Sequence, residues 1–389
     1  MRIIVCPHEL AMGGSQINAI ELAAAMNDRG HEVVVFAPDG VLAEKVAAIG
    51  LERVSAPRGT RLSLAWTRRL IRLAKDRKTD LVHTYEWAPS LGAAYGLRSL
   101  PGTAQVMTIL SMDVPGFLPA DIPLVVGTPE LAAGLGRHRN VNVMEPPIDT
   151  LANRSSDVSA ARSRWGAGTG ELLVSVVCRM TDELDKANGV LSSIDAVDQL
   201  AERFPVRLLV VGEGPALGRI RERAASANLK HGRQVIDVVG HMQDPRDAYE
   251  GADVVLGMGS SILRAMSYSK PVVVQGAHGY WELLSADTAD TFLWSGFYGS
   301  QGAGWLDLLP ILEQLLGSQS LRSELGTWNR DLVVSRFSLT VAADKLEGLY
   351  NQTFAEPHRS GRAVLSLSMS TARLAKFRVD HALAQRSAS

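Results

Sequence analysis

The sequence predicts an α/β protein made of two doubly wound units in tandem, each a parallel sheet with helices on both faces. Three observations carry this. Short apolar runs alternate with helix-like stretches at the spacing of strand–helix–strand units. The rhythm breaks once, at a Pro-Pro pair followed by polar residues, and then restarts. The chain holds 35 glycines and only 6% aromatic residues, as many tight strand-to-helix turns require. A length of 389 residues suits two domains. With 46% hydrophobic and 21% charged residues, a disordered or fibrous chain is excluded.

The elements follow in order. RIIVC opens as a buried strand, and SQINAIELAAAMNDRG is a helix stopped by Gly30. HEVVVFA is a strand, VLAEKVAAIG a helix ended by Gly50, LAWTRRLIRLAKDRK a third helix and DLVHTY a strand. AQVMTIL, PLVVGT and VNVME continue the series. PPIDTLANRSSDVSA then reads as a linker, with the boundary near residues 147–155. ELLVSVVCRM restarts the pattern, followed by the helix NGVLSSIDAVDQLAERF, the strand VRLLVVG and the helix PALGRIRERAASANL with Pro215 at its first position. QVIDVVG, PRDAYEGA, DVVLGMG, SSILRAMSYS and KPVVVQG complete the second unit. GWLDLLPILEQLLG, QSLRSELGTWNRDLVVSRF and TVAADKLEGLYNQTF close it as helices. The expected division is 1–150, 151–335, a returning helix at 336–355 and a basic tail at 356–389. That tail holds six Arg/Lys against two acidic residues, with a marginal helix over Ala372–Gln385. Its plain reading is a surface helix or frayed end; weak membrane or anionic-partner contact is the alternative. The basic helix RRLIRLAKDRK carries the same pair of readings, with a solvated face as the plainer one.

Charge and cysteine content bound the function. Forty Lys+Arg against 41 Asp+Glu leave a net charge near −1, which gives no general pull toward nucleic acid. Cys6 and Cys178 are far apart, fit no metal spacing and read as reduced thiols. MRIIVC is too short an apolar run for a secretion signal, and no apolar run reaches membrane-spanning length, so a cytoplasmic protein is expected.

Five constellations sit where strands hand over to helices. In MGGSQ, Gly13 and Gly14 let backbone approach a ligand, with helix N–H groups behind them, although a tight turn alone accounts for the same residues. In CRMTDELDKANG, Arg179 and Lys186 suit a diphosphate; the alternative is two solvated cations paired with Asp182, Glu183 or Asp185. VVGEGPALG has Gly212, Gly214 and Gly218 in GxGxxxG spacing, which is not the dinucleotide GxGxxG. In GMGSSILRAM, Gly257, Met258 and Gly259 precede Ser260 at a helix start where a phosphate fits. AHGYWELL supplies His278, Gly279 and Glu282, a carboxylate suited to sugar hydroxyls. There is no DxD triplet, no GxxxxGK[ST] loop and no GxSxG elbow, so no metal or cofactor is expected.

Taken together, order and spacing resemble glycosyltransferase family 4 over residues 1–350. The GG turn is Gly13–Gly14, the HxHxW-like segment is VHTYEW with Glu86, and the NGID-like linker is PPID. The GR…KG pair corresponds to Arg179 and Lys186, and GEGP to the family's G.GP turn. GHMQDPRDAYEGADV matches the segment whose backbone after Gly240, at His241 and Met242, meets the nucleotide base. AMSYSKPVVV resembles the strand-preceding EAMACGxPVV, and Glu282 matches the glutamate of GGxxE. The resemblance implies the GT-B fold, two Rossmann-like domains facing a central cleft. It further implies a metal-independent retaining transfer of sugar from a nucleotide diphosphate sugar to an acceptor hydroxyl. Arg179, Lys186 and Glu282 take catalytic roles. Gly212, Gly240, His241, Met242, Gly257, Met258, Gly259, Ser260, Arg264 and Gly279 bind the donor. His8, Glu9, Gly13, Gly14 and Glu86 bind the acceptor.

The departures are specific. The family's two glutamates, eight positions apart, fall on Leu256 and Arg264. Arginine has only donors and cannot accept from ribose hydroxyls, as the second glutamate does in the family. A histidine frequent near the fifth strand is replaced by Ser111 and Met112. Glu282 is expected to pair with Arg264 or to take over a hydroxyl contact. The leaving-group residues persist, so an active enzyme with altered donor recognition is the first reading. A degenerate GT-B protein that binds or activates a partner is the second, and another GT-B reaction, such as epimerisation or non-glycosidic coupling, the third.

Overall fold

A computed structural model describes residues 1–57, 62–111, 113–136, 138, 140–355 and 360–387, with the side chains of the last helix described over 363–380. Met112 lies outside the described residues, as do 356–359 and the last two residues of the tail. The chain divides into two units. One comprises Met1–Pro147 with Leu339–Ser389, the other Ile148–Ser338.

The first unit contains β1 (Arg2–Cys6), α1 (Gly14–Asp28), β2 (Glu32–Ala37), α2 (Ala43–Ala48), β3 (Glu52–Ser55), α3 (Leu64–Asp76), β4 (Leu81–Tyr85), α4 (Trp87–Gly96), β5 (Ala104–Ile109), β6 (Leu124–Val126), α5 (Pro129–Ala133) and β7 (Val141–Val143). The strands form one sheet in the order β3-β2-β1-β4-β5-β6-β7, with every pairing parallel. Helices cover both faces, which is why its central strands read as unbroken apolar runs. Ile3, Ile4, Val5 and Cys6 are all but inaccessible.

The second unit contains α6 (Val158–Arg164), β8 (Leu172–Val177), α7 (Lys186–Leu200), β9 (Val206–Val211), α8 (Leu217–His231), β10 (Ile236–Gly240), α9 (Arg246–Glu250), β11 (Val254–Gly257), α10 (Ser260–Ser267), β12 (Val272–Gln275), β13 (Trp281–Leu283), α11 (Ala289–Ser295), α12 (Trp305–Gly317) and α13 (Gln319–Phe337). Its sheet runs β10-β9-β8-β11-β12-β13, parallel except for β13, which is antiparallel to β12. The sequence pattern does not reveal β13, because three residues are too few to show alternation. Pro215 lies before the α8 helix rather than at its first position: the Leu217 amide closes a turn onto the Gly214 carbonyl, and Ala216 is the N-cap.

In both sheets the order reverses between the first and the fourth strand of the unit. These reversals, β1/β4 and β8/β11, are the switch points at which open α/β sheets bind ligands.

Two C-terminal helices belong to the first unit: α14 (Leu339–Ala355) and α15 (Ser360–Ser387). The α14 helix packs on α1, with Arg29 bonded to Asp344 at 2.6 Å and to Glu347 at 2.8 Å. At its centre Tyr350 meets His83 of β4, O to Nδ1 2.6 Å, and the other ring nitrogen meets Thr108 Oγ1 at 2.7 Å. Burial drives the His83 pKa down to about 3, so the ring is neutral. The tail is one 28-residue helix rather than a short one over 372–385. Serines attach it: Ser370 Oγ donates to the Phe117 carbonyl at 2.5 Å, and the Ala120 amide donates to Ser366 Oγ at 3.0 Å. The Phe117 and Phe377 rings lie 5.2 Å apart, and Leu374 is buried. Ser366 and Ser370 dock the part of the helix that precedes the 372–385 stretch, whereas Leu374 and Phe377 dock within it.

Candidate functional site

In the second unit the candidate residues gather at the carboxyl ends of β8 to β12. Arg179 and Lys186 bracket the loop after β8. Residues Leu184 and Asp185 adopt left-handed conformations (φ 55° and 61°), which bend the chain into α7. Asp185 holds that bend: it accepts from Asn188 Nδ2 at 2.6 Å and from the His278 amide at 2.9 Å, while its carbonyl accepts from buried Gln275 at 3.0 Å. Sequence reading missed Asp185 and Gln275 as anchors; the αL-tolerant Asp before a lysine-led helix was the available signal.

Arg179 is mostly exposed and ion-paired with Glu183 at 2.6 Å, one of the partners anticipated by the plainer reading. Lys186, the first residue of α7, makes no ion pair or side-chain hydrogen bond among the described residues. Its ammonium lies close enough to Cys178 to pull the thiol pKa down, while burial pushes it up to a net value of about 11.

The Gly257–Ser260 turn leads into α10. Gly259 has φ 55° and ψ −130°, a conformation in which any Cβ is strained, so glycine is required there. Met258 and Ser260 flank it. Gly212 opens the loop after β9, and a Cβ there would lie 1.9 Å from the Cys178 carbonyl; this packs the second loop against the first. Gly240 ends β10 with φ 87°, and the exposed His241 faces Glu213 at 3.6 Å, with Met242 next in the chain. Gly279 sits in the turn after β12.

The two departures from the family pattern lie in different surroundings. Leu256 is fully buried in the core of the sheet. Arg264 is half-buried, and its Nε is shielded from solvent with no hydrogen-bond partner. The Arg264–Glu282 pairing expected from the sequence does not occur. Glu282, on β13, instead accepts from the Tyr280 hydroxyl; burial first, and this hydrogen bond second, raise the Tyr280 phenol pKa. The Arg264 charge is felt at Asp244, Tyr249 and Tyr268. Asp244 is already gripped by Arg246, Nε to Oδ1 2.9 Å and to Oδ2 2.8 Å, so it is not a free partner.

In the first unit His8, Glu9, Gly13, Gly14 and Glu86 gather at the carboxyl ends of β1 and β4. Gln16, buried in the first turn of α1, donates to Glu9 Oε1 at 3.0 Å and stands 3.1 Å from His8 Nε2. Glu86 sits at φ 66°, ψ 167°, unusual for a residue with a side chain. Its carboxylate accepts from Ser15 Oγ (2.9 Å), the Leu110 amide (3.2 Å) and Ser111 Oγ (3.0 Å). Gly13 adopts extended backbone at the start of α1, and a Cβ there would press on the Gln16 amide. Ser15, Gln16 and Ser111 were not singled out as site residues, although Ser15 and Gln16 complete the MGGSQ turn.

Among the described residues no group of three or more His, Cys, Asp or Glu is placed to hold a metal ion, and no helix is long and apolar enough to cross a membrane.

Residues 12–121 match the family described as Glycosyltransferase Family 4, and residues 171–294 match Glycosyl transferases group 1. No curated protein sequence matches the chain. Among solved structures, a glycosyltransferase of Rickettsia africae is similar with TM-score 0.74 and 16% identity, covering 91% of this chain and 99% of that one. HepE of Anabaena, solved in complex with UDP, gives TM-score 0.71 and 16% identity over 90% of this chain and 100% of its own. Sucrose-phosphate synthase of Thermosynechococcus elongatus gives TM-score 0.69 and 16% identity over 91% of this chain and 100% of its own. Fold and domain content are those of a GT-B glycosyltransferase.

Proposed function

We propose that this chain transfers a sugar from a nucleotide diphosphate sugar to an acceptor hydroxyl, with retention at the anomeric carbon and without a metal. The observation that carries the reading is Lys186, a cation at the head of α7 with no ion pair or side-chain hydrogen bond among the described residues, in a unit matching Glycosyl transferases group 1. A lysine in that state is satisfied by a ligand anion, and the departing diphosphate is the group whose charge grows in the transition state. The amides at the start of α10, beyond the Gly257–Gly259 turn, supply further donors. Arg179 joins when it exchanges Glu183 for phosphate, an inexpensive exchange because the pair is solvent-exposed. The complexes of HepE with UDP and with UDP-glucose add weight to a nucleotide-sugar donor.

In this reading the first unit binds the acceptor. Glu86, oriented by Ser15, Ser111 and the Leu110 amide, accepts from a sugar or polyol hydroxyl, and Gln16 holds His8 and Glu9 in place for a second contact. Glu282 supports the donor sugar through Tyr280.

The test is a thermal-shift screen of the full chain against UDP, GDP, ADP, CDP and dTDP and their sugar conjugates. Ligand at 100 times its Kd stabilises by about 2.7 kcal/mol. A shift with one nucleotide, lost in Lys186→Met, supports the reading. Product anomer by NMR then tests retention, and turnover in EDTA tests metal independence. No shift with any nucleotide sinks it. The degenerate, partner-binding reading draws on Leu256 lying in the core and Arg179 being occupied by Glu183. It is the reading that stands if nothing binds.

A further inference from the structure

The α15 helix is amphipathic in an inverted sense. Ala363, Leu367, Ser370, Leu374 and Phe377 follow the spacing of one helix face. That face meets the first unit. Ala363, Ser370 and Leu374 are buried, Leu367 packs on the apolar cluster that holds Phe117 and Leu118, and the Phe377 ring lies against Phe117. Beside it, Ser366 accepts from the Ala120 amide, and Ser370, 1% exposed, donates to the Phe117 carbonyl. Serines therefore make both hydrogen bonds that tie the helix to this loop.

Half a turn round the helix stand Leu365, Met369, Ala372, Lys376 and Val379, again at the spacing of one face. Leu365 is 63% exposed, Met369 45% and Val379 57%, and Val364 at the edge of this face is exposed as well. A surface helix ordinarily turns its polar side outward. Here serine points at protein, while leucine, methionine and valine point at solvent. With water as the sole outer neighbour the opposite arrangement is favoured, so the outer face is built for an apolar surface.

Charge identifies that surface. Lys376 lies within the face, and Arg373 and Arg378 stand at its two flanks. None of the three makes an ion pair among the described residues, and Asp380 is the sole acidic residue in the helix sequence. A second copy of the chain would bring the same positive excess against itself. A protein partner would be gripped by outward aromatic anchors, but the outer face carries none, since Phe377 turns to Phe117. An anionic bilayer satisfies both halves of the pattern. Its acyl boundary receives the apolar side chains, and its phosphates receive the cations, whose long stems reach outward from the flanks.

We infer that the outer face of α15 seats this chain on an anionic membrane surface. The helix lies parallel to the bilayer, with Leu365, Met369 and Val379 at the acyl boundary and Arg373, Lys376 and Arg378 on lipid phosphates. The attachment is peripheral, because among the described residues no helix is long and apolar enough to cross a membrane.

The experiment is co-sedimentation of the full chain with vesicles of phosphatidylcholine alone and of equal parts phosphatidylcholine and phosphatidylglycerol. The wild-type chain is expected to pellet with the anionic vesicles and to stay in solution with the neutral ones. Raising salt from about 0.1 M to about 1 M is expected to release it, as the screening length shrinks from about 10 Å to about 3 Å. Leu365→Ser combined with Met369→Ser and Val379→Ser is expected to weaken partitioning about tenfold or more, and so is Lys376→Glu combined with Arg378→Glu. All five side chains are exposed, so unfolding midpoints are expected to match wild type. Failure of the wild-type chain to bind anionic vesicles overturns the inference, and so does equal binding to neutral ones. Unchanged partitioning in either set of variants removes α15 from the contact. A dimer seen by sedimentation velocity without lipid, and lost in the serine variant, gives the face to a second copy and overturns the inference too. The lipid comparison uses the wild-type chain and no nucleotide, so its outcome is separate from that of the transfer reaction.

Discussion

The two α/β units end their sheets in opposite chemistry. At the β1/β4 switch point, Glu9 and Glu86 are held by an amide, two hydroxyls, a backbone N–H and His8, with no Lys or Arg among the described partners. At the β8/β11 switch point, Asp182, Glu183 and Asp244 are ion-paired with arginines, while Lys186 and Arg264 make no ion pair or side-chain hydrogen bond among the described residues. One scaffold thus carries a site rich in acceptors and a site rich in donors. The first suits hydroxyl or ammonium groups, the second phosphates. Function on this fold therefore follows the bookkeeping of spare donors and acceptors, which the backbone leaves open.

The sharpest break of that comparison is Lys186→Met. It removes the unpartnered cation and keeps the apolar stem. Turnover is expected to fall about 10²–10³-fold, the usual cost of deleting a group aimed at developing charge, while thermal stability stays within about 0.5 kcal/mol because no ion pair or side-chain hydrogen bond among the described residues is lost. Steady-state kinetics with the nucleotide sugar found by screening reads the first and denaturant unfolding the second. Retained turnover would remove Lys186 from the leaving-group site.

Most of the fold was legible because buried parallel strands leave a strong trace: IIVC, VVVF, LLVSVV and VVV are continuous apolar runs between glycine-stopped helices. What escaped did so for physical reasons. The β13 strand is three residues long and antiparallel, and α15 docks through Ser366 and Ser370, which composition reads as loop. In the site, sequence order identified Arg179 and Lys186 but not that Glu183 occupies only the first. It flagged Arg264 as a departure and offered Glu282 either as its partner or as a hydroxyl contact; the first does not occur, since the chain turns Glu282 to Tyr280, and the Arg264 charge acts on Asp244. Pair choices among many nearby charges depend on side-chain reach across loops, which spacing along the chain does not encode.

A second prediction concerns what keeps the acceptor-rich unit rigid. Tyr350→Phe removes the hydrogen bond to His83 inside the core. It is expected to cost about 1–3 kcal/mol, the range for stranding a buried polar atom, without altering nucleotide affinity. His83 also sets an acid limit. Its folded pKa is lowered from 6.5 to about 3 by burial. The unfolded chain therefore binds a proton there that the folded chain refuses, so the stability from the neutral ring is complete above pH 6.5 and drains away as pH falls toward 3. Urea midpoints between pH 7 and pH 4 should fall, and the fall should be shallower in His83→Gln. A pH-independent midpoint contradicts the neutral buried ring.

Glu86→Gln tests the acceptor side with a smaller effect. The amide keeps the shape but places a donor against Ser15, Ser111 or the Leu110 amide and removes the charge. The acceptor KM is expected to rise about tenfold, matching one charge-assisted bond, with the Kd for nucleotide unchanged. A matched loss in nucleotide affinity would mean that the two ends do not divide the substrates as their spare groups suggest.

The smallest expected effect separates Arg179 from Lys186. Both are cations of the same loop, but Arg179 spends its charge on Glu183 in solvent. Breaking that pair with Glu183→Gln should change stability by no more than about 1 kcal/mol, as for exposed ion pairs generally. If Arg179 turns to the diphosphate when ligand arrives, releasing it beforehand removes a competitor, and nucleotide affinity should rise by about twofold to fivefold, the same fraction of a kcal/mol expressed as binding. If affinity is unchanged by Glu183→Gln and equally unchanged by Arg179→Ala, Arg179 is a solvated surface charge. The donor-rich character of this unit then rests on Lys186 and Arg264 with the helix amides. The contrast between the two sheet ends survives that outcome, because it depends on cations that are ion-paired with no carboxylate among the described residues, and Arg179 was never one of them.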